Sequence, residues 1–116
     1  MDYSKLSDFE INKLVFERKT ALAALSYPHS ADKRSCGHKD INNIYHWFDF
    51  CNKPADAWPI ISSHHISIIY VEALSKWCAG NPYWVDGCEW QLDIDVVDEN
   101  PLRAAMIVFL MMQESK

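Results

Sequence analysis

Apolar residues open the chain at helical spacing: Ile11, Leu14, Val15, Leu22 and Leu25 share one face, while Asn12, Lys13 and Glu17 fall elsewhere. Ser7-Asp-Phe-Glu10 has the spacing of a capping box, so a first amphipathic helix is expected from about Asp8 to Leu25, ended by Tyr27-Pro28. From Ser26 to Asn43 the periodicity disappears and the residues are polar and charged, which reads as a surface loop. A loop of that length in a compact domain asks for either a function or mobility.

Further along, Asn52-Lys-Pro54 signals a second, short helix reaching about Ser63, with Ala55, Trp58, Ile60 and Ile61 as its apolar stripe. Pro59 lies past the first turn, where its missing amide removes a bond. Ile66 to Val71 is β-branched and aromatic, so it reads as a strand. Lys76 to Ala79 is a short partner strand, and Gly80-Asn-Pro82 is a turn. Glu89 to Val96 alternates strictly, which puts Trp90, Leu92, Ile94 and Val96 on one face and Glu89, Gln91, Asp93 and Asp95 on the other. Asn100 is suited to cap a last helix that begins with Pro101. No polar residue occurs from Ala104 to Met112, so this helix should be packed on several sides and form the centre of the core. It is far shorter than the roughly 20 apolar residues that span a bilayer.

The pattern predicts one α+β domain over residues 1–116: a small antiparallel sheet of two to four strands packed with an amphipathic first helix, a short middle helix and a buried last helix. Composition agrees, since 49% hydrophobic residues are ample for a core. The net charge of −5, with its Lys and Arg scattered, disfavours binding to a phosphate backbone. The amino terminus shows no basic leader followed by an apolar run, so the expected location is the cytoplasm. There the four cysteines, Cys36, Cys51, Cys78 and Cys88, are expected as thiols.

Three blocks of sequence, Leu6 to Lys13, Phe48 to Ile61 and Asn100 to Gln113, together resemble the NinX family of lambdoid phages and prophages. The second half is also similar to small phage proteins of α/β/α sandwich type. The resemblance implies a phage or prophage origin in an enteric bacterium and an accessory role outside the virion. It carries no catalytic residue onto the chain.

Candidate chemistry is sparse. Cys36, His38, Cys51, His64 and His65 are weak metal-ligand candidates, because neither CxxC nor HxxxH spacing is present. Cys36 in the polar loop is the best-placed reactive thiol. No G-x-S-x-G elbow and no Gly-rich phosphate loop occur, and no cofactor is expected. The five tryptophans are expected mostly in the core. Trp84 is the exception, since beside Tyr83 it falls in an expected turn region where aromatics anchor partners. Tyr83, Trp84, Glu89, Asp93 and Asp95 are therefore the binding candidates, with the 28–43 loop as a further contact surface. The leading reading is a non-enzymatic protein that binds an unknown host or phage protein. A small metal- or thiol-dependent enzyme is the alternative from another class. A homo-oligomer, completed at the apolar last helix by a second chain, is the third.

Overall fold

Ser7 starts the first helix as its spacing requires. Its hydroxyl accepts from the Glu10 amide at 3.1 Å, and its own amide donates to Glu10 Oε1 at 3.2 Å. Helix α1 runs Asp8–Thr20 in a computed structural model that describes residues 2–87 and 89–114. The expectation for Cys88 lies outside the described residues. The helix stops short of Leu25 because Thr20 turns its hydroxyl back onto the Phe16 carbonyl, 2.7 Å away, and Ala21 adopts a left-handed φ of 61°. The chain then runs beside the next strand, with the Leu25 amide bonded to the Gly37 carbonyl. The long polar segment is accordingly no plain loop. It contains strand β1, Cys36–Lys39, paired antiparallel with β2, Tyr45–Phe48. Four-residue strands with little alternation gave no periodic signal.

Helix α2 spans Pro54–Ser63, Pro59 included. Its buried side is Ala57, Ile60 and Ile61, whereas Ala55 and Trp58 face solvent, so the stripe is rotated from the expected one. Strands β3 (Ser67–Val71), β4 (Lys76–Val85) and β5 (Glu89–Asp98) form an antiparallel sheet in the order β3-β4-β5. Gly80-Asn-Pro82 lies inside β4 and not in a turn, and Tyr83 and Trp84 are strand residues. The reversal falls at Asp86-Gly87, where Gly87 takes φ 104°.

Helix α3, Pro101–Glu114, is capped by Asn100, whose Oδ1 accepts from the Leu102 and Arg103 amides at 2.9 and 3.3 Å. Ala104 to Leu110 are buried without interruption. The β1–β2 hairpin packs on α1, and α1, α2 and the three-stranded sheet pack on α3. The chain itself thus packs elements around the apolar helix on several sides. Aliphatic residues with Phe50, Phe109 and Met106 fill the centre. Trp58, Trp84 and Trp90 are exposed and Trp47 and Trp77 only half-buried, against the expectation of a tryptophan core. Among the described residues no helix is long and apolar enough to cross a membrane.

Candidate binding surface

Strand β3 ends its pairing at Ser67 opposite Gly80, so β4 and β5 continue beyond it as a two-stranded ribbon. On this hairpin the core stops at Ala79 and Val96, the last of its residues to pack against the apolar interior. The ribbon places side chains on two open faces. On one, the Tyr83 hydroxyl donates to Gln91 Oε1 at 3.0 Å, and Gln91 Nε2 donates to Glu89 Oε1 at 3.1 Å. On the other, Trp84 and Trp90 pair across the strands edge to face, their centroids 5.3 Å apart. Trp84 is 53% and Trp90 68% exposed. Beside them a groove of about 400 Å³ crosses all three strands, lined by Ser67, Ile69, Pro82, Trp90 and Leu92.

The strict alternation read along β5 does not survive in three dimensions. Ala79 pairs with Val96 but Asn81 pairs with Asp93, so β5 carries one extra residue opposite Gly80. This is a β-bulge, and it moves Trp90 and Leu92 to the face opposite Val96. Ile94 sits in it with φ 51°, a left-handed conformation that costs a β-branched residue dearly, and its amide is held by Asp93 Oδ1 at 2.9 Å. Gly80 is required there for space: a Cβ would come within 2.8 Å of Leu92 Cβ and 3.0 Å of the Asp93 carbonyl oxygen.

The five binding candidates are therefore only partly brought together. Tyr83 and Glu89 share a face, with Asp93 at the same strand parity, while Trp84 is on the opposite one. Asp95 follows the bulge, near enough to Cys78 that burial and then its charge push that thiol up. The sheet segment 67–99 contains Glu72, Asp86, Glu89, Asp93, Asp95, Asp98 and Glu99 against the single base Lys76. The negative charge of the protein is thus concentrated on this element. Sequence reading missed Ile69, Pro82 and Leu92 as groove residues, because the bulge that aligns them leaves no mark in an alternating pattern.

The cysteine and histidine candidates disperse. Cys36 is buried in β1, its thiol donating to the Asn12 carbonyl at 3.4 Å, and burial pushes it up to about 12, which removes it as a reactive thiol. Burial likewise raises Cys51. His38 lies against the Phe16 ring, and His64 packs on Phe109 with Nδ1 3.0 Å from the Ile60 carbonyl oxygen. His65 is exposed with φ 53°. Among the described residues no three His, Cys, Asp or Glu side chains converge as a metal site.

The densest chemistry lies elsewhere, at the N-terminal ends of α1 and α3. Asn12, off the apolar face in the helical spacing, is fully buried. Its Nδ2 donates to Asp49 Oδ1 at 3.0 Å and to the Arg34 carbonyl at 2.9 Å, and its Oδ1 accepts from the Cys51 amide at 3.0 Å. Asn52 Nδ2 bridges Asp49 and Asp8, each at 3.0 Å. Asn100 Nδ2 donates to the Cys51 carbonyl at 2.7 Å. Arg103 reaches Asp8 at 2.7 Å, Asp98 at 3.2 Å and the Leu6 carbonyl at 2.7 Å. Arg34 Nε lies 3.3 Å from Asp49 Oδ2 as an ion pair, without the alignment of a hydrogen bond. Apart from the Arg34–Asp49 Oδ2 ion pair, these groups are hydrogen-bonded to one another or to the backbone, and they line none of the grooves described. Asp8 and Asn12, then Asp49 and Asn52, then Asn100 and Arg103 come from three separate blocks of the chain.

Those three blocks are also the ones with the NinX resemblance, and a family model described as bacteriophage P22 NinX matches residues 2–113. The chain belongs to the NinX family. It is a phage-encoded protein, and each of the three blocks supplies residues to the buried network. No curated protein and no solved structure matches the chain. The family match takes in both the buried network and the open ribbon.

Proposed function

We propose that this NinX protein is a non-enzymatic accessory protein that acts in the cytoplasm of the phage's host by binding another protein. The observation that carries the reading is the exposed Trp84–Trp90 pair beside the apolar groove. Large rigid aromatics around a concave apolar surface are the usual anchors of protein interfaces, and a folded chain seldom leaves them in water without use. Acidic flanks add long-range attraction for a basic partner. The dispersed thiols and imidazoles, held by packing and backbone bonds, offer no comparable support for an enzyme.

The reading is tested by affinity capture of a tagged chain from phage-carrying cells. Wild type is compared with the Trp84→Ala/Trp90→Ala double variant and with Ile41→Ser, a change at a residue 97% exposed on the other hairpin. A single stoichiometric protein held by wild type and Ile41→Ser but lost from the double variant is the expected result. Identical recoveries from all three, or the bait alone, would overturn it.

A further inference from the structure

We propose that the free edge of β5, between Glu89 and Asp93, receives an extended segment of a partner protein in which basic and apolar residues alternate. This rests on the interaction reading above and names the partner's chemistry. Among the described residues, sheet order leaves β5 with a strand on one side only. Past Ser67 the β4–β5 ribbon has only two strands, an arrangement that is marginally stable in water and gains from a third. Its two edges are not equivalent. The β4 edge carries Pro82, which has no amide to give, whereas residues 89–93 of β5 contain no proline and can pair along their length.

An added strand would set its side chains opposite those of β5 on both faces. One face offers Glu89 and Gln91, with Asp93 at the same parity, and the other offers Trp90 and Leu92 next to the groove. A strand that alternates Lys or Arg with apolar residues matches both at once. The acids also exclude the obvious competitor. Pairing β5 with β5 of a second copy would bring Glu89 and Asp93 against their own kind, which is unfavourable. A charged edge rejects strands of like sign and admits one of opposite sign.

The test is a titration of the isotope-labelled full chain with three synthetic strand-length peptides: Lys alternating with Val, Glu alternating with Val, and Lys and Val reordered to helical period. The alternating Lys peptide should bind roughly tenfold or more tightly than the Glu peptide, weaken with salt, and slow amide exchange along β5. In the exposed double variant Glu89→Lys/Asp93→Lys the preference should invert. Equal affinity for the Lys and Glu peptides, tighter binding of the helical-period peptide, or protection confined to β3 would overturn the proposal. A partner lost with Trp84 and Trp90, combined with any of these outcomes, leaves the interaction reading standing and removes the strand-addition mode alone.

Discussion

The network at the start of α1 and α3 and the ribbon beyond Gly80 divide the polar and aromatic chemistry of the chain in opposite ways. In the network, amides, carboxylates and a guanidinium are buried or nearly so, and almost every atom has its partner. In the ribbon, tryptophans and carboxylates stand in water with little more than each other for company. A satisfied buried network in a low dielectric rigidifies and specifies a fold. An exposed aromatic pair does little for a fold and much for a contact. The place where functional residue types crowd together is therefore the scaffold here, and the plain-looking hairpin is the candidate site.

The sharpest way to break that division is Asn12→Leu. The change is near in size but leaves the Asp49 carboxylate facing methyl groups and removes the bonds to the Arg34 carbonyl and the Cys51 amide. Taking one partner from a buried carboxylate, which keeps Asn52 and Arg34, and orphaning two backbone groups should cost about 3–5 kcal/mol of unfolding free energy, read by urea denaturation. Asn12→Leu/Asp49→Leu should recover part of the loss, because both partners are then apolar. A single-variant loss under about 1 kcal/mol would mean that the network does not hold the fold.

What the sequence made legible follows the strength of local signals. The capping box at Ser7, the Asn100-Pro101 start and the unbroken apolar run of α3 are each decided within a few residues, and each stands as expected. The burial of Asn12 is not legible in the helical spacing: it borders the buried arc of Ile11, Val15 and Phe16, and only partners distant in sequence, at 34, 49 and 51, make its burial tolerable. Cys36 was misread for a related reason: a short strand with one flanking glycine looks polar until Phe48 and Trp47 are set against it. Trp90 and Leu92 were assigned to the face of Val96 because one inserted residue at Ile94 is invisible to an alternation count.

A second variant asks whether the ribbon's orientation depends on the bulge. Gly80→Ala introduces a Cβ that must displace Leu92 Cβ at 2.8 Å or the Asp93 carbonyl at 3.0 Å, and backbone on the facing strand yields poorly. The cost should be about 1–3 kcal/mol, as for overpacking. Site-resolved amide exchange should show the loss concentrated at 89–93, with α1 and α3 close to wild type. Uniform loosening of α3 as well would show that scaffold and ribbon melt as one unit, and the division drawn above would fail.

The smallest expected effect is the most discriminating. Trp90→Ser removes a large side chain that is 68% exposed and whose described ring contact is Trp84 alone. Truncations at such surface positions usually change stability by no more than about 0.5 kcal/mol, and loss of the edge-to-face pair adds little at this exposure. The thermal midpoint should stay within about 3 °C of wild type. Capture of the partner should nevertheless fall, because an anchor matters through what it covers in the complex. If Trp90→Ser instead unfolds the chain as severely as Asn12→Leu, the ribbon's aromatics support the fold, and their exposure is no argument for a binding surface.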